Sequence, residues 1–171
     1  MAGPQAYLEV ARAEGAVYVR VCGYGSFVVA KPLREFAEAS LAAGCSRFLI
    51  DLSDAASCDS TFLGVLAGLA SQLGREGWIQ LVNANDQTAK VMRDIGITNM
   101  MRLRTEAGEL PAVPMQRLEG ELGTPQERVR TAAEAHRNLL PLDDDNERRF
   151  RGVLNLLERE LDGFDKQSSS E

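Results

Sequence analysis

The chain has 171 residues, 44% hydrophobic and 26% charged, which suits one globular domain with a real core and a modest extension. Its net charge of −6, with no basic stripe of interleaved aromatics, argues against a general nucleic-acid binder. The first residues lack the charged and apolar regions of a secretory signal, and no apolar run nears the ~20 residues that span a bilayer, so a cytoplasmic protein is expected.

In chain order, residues 7–11 and the β-branched run 16–21, separated by Glu14-Gly15, predict a β-hairpin. Gly23 and Gly25 then let the backbone turn. Leu33, Phe36, Ala37 and Leu41 recur at helical spacing over residues 28–43, with Pro32 assigned to the first turn and Gly44 to the stop. Residues 47–52 are almost continuously apolar, as in a strand covered on both faces. After a polar stretch at 53–59, Leu63, Leu66, Leu69 and Leu73 predict a second helix ending near Gly74. Residues 78–82 predict another buried strand. Asn83 to Asp86 offer caps for a third helix carrying Ala89, Met92 and Ile95 and closed by Gly96, and a last short strand is expected near residues 100–103. Alternating strands and helices of this kind predict an α/β fold with helices packed on a sheet.

Residues 107–123, rich in Pro and Gly, predict a linker. Thr124-Pro125-Gln126-Glu127 is then a capping box with proline at the first helical position. Val129, Ala132, Ala133, His136 and Leu140 mark one face of that helix. Pro141 breaks the pattern, and Asp143 to Asn146 supply the cap of a second helix striped by Phe150, Val153, Leu154, Leu157 and Leu161. Two isolated helices of this length are marginal in water, so the pair either folds back on its own chain or joins another subunit or protein. The Ser168 to Glu171 run predicts a short disordered tail.

Cys22, Cys45 and Cys58 are few and widely spaced, the pattern of reduced thiols, with Cys58 a small buried hydrophobe rather than a redox sensor. The single histidine, His136, lies far from all three, so neither a metal nor a cofactor is expected. His136 itself predicts a satisfied core histidine. No G-x-S-x-G, P-loop or dinucleotide fingerprint is present, and the chain is not expected to be an enzyme.

The most informative stretch runs from Asp51 to Leu66. A buried strand ends in Asp51-Leu52-Ser53, a polar loop follows, and Asp59-Ser60-Thr61 stands where the next helix must begin. A hydroxyl there can cap the helix, and the same free amides and partial positive charge suit a phosphate. This pattern resembles the STAS family, whose signature is a D-L-S strand, a short loop, then D-S-[ST]-G-[LI] opening a helix. The resemblance covers about residues 7–104. It implies a STAS-like mixed sheet and a domain over 1–106; the linker over 107–123 and the helical extension over 124–171, read from Pro and Gly content and apolar stripes, lie beyond it.

Among anti-sigma factor antagonists of that family, the serine after the aspartate is phosphorylated by a partner that is both kinase and anti-sigma factor. The resemblance therefore implies Ser60 as phosphoacceptor and a partner surface of Asp54, Ser57, Asp59, Ser60, Thr61 and Phe62. It also implies a serine kinase/anti-sigma factor and a PP2C-type phosphatase as partners; the apolar stripes of the C-terminal helices, outside the resemblance, allow a homodimer through those helices. Taken as residues alone, Ser60 is an N-cap, Asp59 an acid favoured by the helix dipole, and Ser53 and Ser57 turn residues. Phe62 departs from the family's glycine, and is either tucked into the core or exposed as an aromatic anchor. The alternative to a phosphoswitch is a constitutive STAS scaffold or oligomerising subunit, of the stressosome-like or lipid-transport-associated kind.

Overall fold

Glu14 and Gly15 make the first reversal of the chain, both with positive φ (52° and 74°), the conformation that matches a two-residue turn to the twist of its strands. The turn joins β1 (Tyr7–Ala13) to β2 (Ala16–Gly25) in antiparallel register, Val10 opposite Val19. The computed structural model describes residues 5–104 and 110–170. Parallel to β2 runs β3 (Arg47–Asp51), then β5 (Trp78–Val82) and β6 (Arg102–Arg104). The sheet order is β6-β5-β3-β2-β1, with a further short strand at Gln116–Arg117 beyond β1. Phe48, Ile50, Ile79 and Leu81 on the central strands are fully buried.

Two strands arise where the sequence predicts none. The polar stretch expected as a loop contains β4 (Ala55–Cys58), which pairs in parallel with the end of β2, Tyr24 opposite Ser57. Within the expected linker, β7 (Gln116–Arg117) pairs with Glu9 and Val10 and covers the edge of β1. Residues 107–109 of that linker lie outside the described residues.

The first helix, α1 (Phe27–Ala42), begins on Ser26, so Pro32 falls in the second turn and not the first. The carbonyl that this proline leaves without a helical donor is that of Val28. Next come α2 (Ser60–Gln72) and α3 (Asp86–Asp94), the latter capped by Asn85, which accepts from the Thr88 amide at 2.8 Å. The capping box forms as expected at α4 (Pro125–Leu139): Glu127 N–H donates to Thr124 Oγ1, and the Thr124 amide donates to Glu127 Oε2 at 2.7 Å. A short 3-10 turn at Pro141 leads into α5 (Asn146–Ser168). This helix continues into the serine run expected as a disordered tail, and the Ser168, Ser169 and Ser170 hydroxyls donate to carbonyls four residues back. Glu171 lies outside the described residues.

What covers the α4 stripe is answered within the chain, whereas Val153 of the α5 stripe stays exposed. Ala135 and Leu139 of α4 join the same buried cluster as Phe62, Leu63 and Leu66 of α2. Gly64 and Gly68, one turn apart on α2, make the contact close: a β-carbon on Gly64 would strike the carbonyl of Ala135, and one on Gly68 would strike the Asn138 side chain. Asn138 Nδ2 donates to the Gly64 carbonyl at 3.1 Å, and Arg34 of α1 pairs with Glu134 at 2.7 Å.

At the entry to α5, Asp145 holds the N-cap position without a side-chain cap, contrary to expectation. The neighbouring Asn146 is fully buried and turns inward, donating to the carbonyls of Ile95 (2.9 Å) and Leu139 (2.6 Å). One amide thus ties the end of α3 to the junction of α4 and α5. Asn146→Ala strands two buried acceptors and is expected to cost about 2–4 kcal/mol, read as a lowered urea midpoint.

Candidate functional site

Asp59 organises the site. It precedes α2 with extended backbone, and its two oxygens serve two helices: Oδ1 accepts from the Phe62 amide (2.8 Å) and Oδ2 from the Phe27 amide (3.0 Å). The Asp59 amide in turn donates to the Gly25 carbonyl at 2.8 Å. One carboxylate therefore neutralises the positive ends of α1 and α2 together and fixes them to the end of β2. Asp59 rather than Ser60 is the N-cap, which leaves the Ser60 side chain free of that duty.

Ser60 is the first residue of α2 and half-buried. Its partner comes from the C-terminal extension: Ser60 Oγ lies 2.9 Å from Nε2 of His136. His136 Nδ1 lies 2.7 Å from the Ala132 carbonyl, which can only accept. In the neutral imidazole the proton is thus on Nδ1, and Nε2 accepts from the Ser60 hydroxyl. The histidine is 5% exposed and meets the Phe150 ring edge-on at 5.6 Å. It is a satisfied core histidine, as its helical position predicts. Its connection to Ser60, across 76 residues, is absent from any local pattern.

The other residues of the expected partner surface divide. Asp54 and Ser57 are exposed, Ser57 as part of β4 rather than a turn. Thr61 and Phe62 are buried, which corrects their assignment to the partner surface. Phe62 is in the core because Gly25 makes room for it: a β-carbon there would lie 2.8 Å from Cys58 Sγ and 3.2 Å from the Phe62 ring. Exposed aromatic surface at the site comes instead from Tyr24 and Phe27, with Val28 beside them, residues that the sequence pattern does not distinguish. Tyr24 pairs with Ser57, and Phe27 is held on Asp59.

Beneath the loop, buried Asp51 anchors the end of β3. It accepts from Asn83 Nδ2 (2.9 Å), the Ser53 amide (3.0 Å) and Arg20 Nε (3.2 Å). Burial alone would raise its pKa, but the bonds from Asn83, Ser53 and Arg20 outweigh burial and hold it below the ordinary carboxylate value. Burial, with the Asp59 charge, pushes the Cys58 thiol up to about 12. No group of His, Cys, Asp and Glu suited to a metal occurs among the described residues, and none of their helices is long and apolar enough to cross a membrane.

Two measurements follow from these environments. A carboxylate with a lowered folded-state pKa stabilises fully above its unfolded value of about 3.9, and that contribution is lost as pH falls through the folded value. The stability gap between wild type and Asp51→Asn, read from urea midpoints, should therefore be widest near neutral pH and narrow below about pH 4. Under native conditions at pH 7.5, Cys58 should resist iodoacetamide over times that fully alkylate it in denaturant, as peptide mapping would show.

A family model described as "Mlab, STAS domain" matches residues 8–105. No curated protein matches the chain. Among solved structures, an anti-sigma factor antagonist from Mycobacterium paratuberculosis is 25% identical with a TM-score of 0.52, over 58% of this chain and 85% of that one. Protein TM1081 of Thermotoga maritima is 19% identical with a TM-score of 0.50, over 55% of this chain and 82% of that one. The family match ends before α4 and takes in the hairpin, β3 to β6 and the Asp59-Ser60 start of α2. On that match the chain belongs to the STAS-domain family.

Proposed function

We propose that this protein is a regulator of the anti-sigma factor antagonist kind, acting in the cytoplasm by binding a partner protein and not by catalysis. The observation that carries the reading is Ser60 at the first position of α2, beside Asp59 and next to the exposed Tyr24, Phe27 and Val28. Aromatic groups of this kind are common anchors at protein interfaces. The likeness to the mycobacterial antagonist supports the same reading. The partner is an anti-sigma factor with serine kinase activity, and Ser60 is its phosphoacceptor.

In that transfer the Ser60 Oγ–P bond forms as the bond from the γ-phosphorus of a nucleoside triphosphate to its bridging oxygen breaks. The nucleoside diphosphate leaves with the electron pair, and a base of the kinase takes the hydroxyl proton. The phosphoserine carries about −1.5 to −2 charges at the positive end of α2, in the middle of the contact surface. Repulsion and desolvation then part the complex, and hydrolysis by a PP2C-type phosphatase resets it.

A second reading, a constitutive module assembled through α5, draws on the exposure of Val153 (45%) and Leu156 (64%) on that helix. Phosphosite mapping of the protein from its native cells separates the two. A phosphate on Ser60 is expected; Ser60 unmodified across growth and stress conditions overturns the phosphoswitch and favours the constitutive module.

A further inference from the structure

The hydroxyl assigned to modification faces the protein's own C-terminal extension. Between Ser60 Oγ and His136 Nε2 the 2.9 Å gap is one hydrogen bond wide. It admits a proton and no larger group. Behind His136 stand Phe150 on one side and the Ala132 carbonyl on the other, so the ring cannot retreat without α4. His136 also lies in the last turn of α4, where unpaired carbonyls gather partial negative charge. An anion on half-buried Ser60 would meet that end of α4 beside a histidine that is itself buried.

We propose that α4 and α5 form a latch over the Ser60 face, held closed by the packing of α4 on α2, with the Ser60–His136 hydrogen bond formed in the closed state, and opened by negative charge on Ser60. The inference rests on the phosphoacceptor reading of Ser60 and adds its control. In the closed form α4 occupies the face of α2 beside Ser60, through Ala135 on Gly64 and Asn138 on the Gly64 carbonyl. A kinase reaches the hydroxyl only when α4 has left it. Once phosphorylated, Ser60 cannot re-form the donor bond to Nε2, because its hydroxyl proton is gone and the phosphoryl group fills the gap. The modification thus holds open the state that allowed it.

The geometry of α2 permits a clean wedge. The atoms nearest to a β-carbon on Gly64 all belong to Ala135, so Gly64→Leu obstructs α4 while adding a better helix former to α2.

His136 is the chain's single histidine and serves as the reporter. The probe is diethyl pyrocarbonate on the full-length protein, with N-carbethoxyhistidine followed at 240 nm. Wild type should react slowly. Ser60→Asp and Gly64→Leu should each react at least tenfold faster, with hydrogen exchange of the β3 and β5 amides unchanged as proof of an intact sheet. Ser60→Ala, which removes the bond without adding charge, should stay within about threefold of wild type. A Ser60→Asp protein that reacts as slowly as wild type, or more slowly, overturns the latch; so does a Ser60→Ala protein that opens as fully as Ser60→Asp. If Ser60→Asp loses sheet protection, Ser60→Glu takes its place under the same criteria. The outcome is independent of phosphosite mapping: unmodified Ser60 in cells would remove the phosphoswitch whatever His136 does, and slow carbethoxylation would remove the latch with the phosphoswitch intact.

Discussion

The close approach of α4 to α2 governs how the two parts of this chain work as one. At Gly64 the backbone of Ala135 occupies space that any other residue would fill with its β-carbon. That nearness brings Asn138 within reach of the Gly64 carbonyl and His136 within reach of Ser60. It also lets Ala135 and Leu139 share a core with Phe62 and Leu66. Hydrogen bonds of 2.9 to 3.1 Å weaken steeply with distance, so spacing the helices apart by one methyl group would loosen all of these contacts together. The helical extension is therefore joined to the STAS fold by backbone contact and not merely tethered to it.

Asp59 is the second constraint, acting at the other end of α2. By capping two helices with one carboxylate and donating its own amide to Gly25, it sets where Ser60 emerges relative to Tyr24 and Phe27. The Gly25 contact with Cys58 and Phe62 fills the space beneath. A large side chain in the first turn of α2 is accommodated because a neighbouring strand gives up its own. Phe62 in place of the family's glycine thus changes the core under the site, and leaves the rim to residues from β2 and α1.

Much of this was legible in the sequence wherever a strong period or a local cap carries the information. The hairpin rests on Glu14-Gly15 and its β-branched flanks, and α4 on a capping box that needs only four residues. The short strands β4 and β7 were not legible. Ala55–Cys58 has no β-branched residue, and Gln116–Arg117 is a strand only because β1 offers Glu9 and Val10 to pair with. Asn146 reads as a cap in sequence because its type suits one; the buried carbonyls of Ile95 and Leu139 recruit it instead. The Ser60–His136 pair lies beyond any local rule, since its two halves meet only after α4 docks. The spacing of Gly64 and Gly68 was its one trace: small residues a turn apart mark a face where another backbone approaches.

Those glycines also bear on how the protein is made. Each weakens an isolated helix by about 0.8–1.0 kcal/mol relative to alanine, so α2 is a poor helix until α4 covers it. During synthesis α2 emerges well before α4, and for that interval the nascent STAS sheet carries a helix with an uncovered, intrinsically weak face. Residues 125–139 therefore complete an element made earlier, and a product interrupted before α4 differs from one that contains it at the Ser60 site.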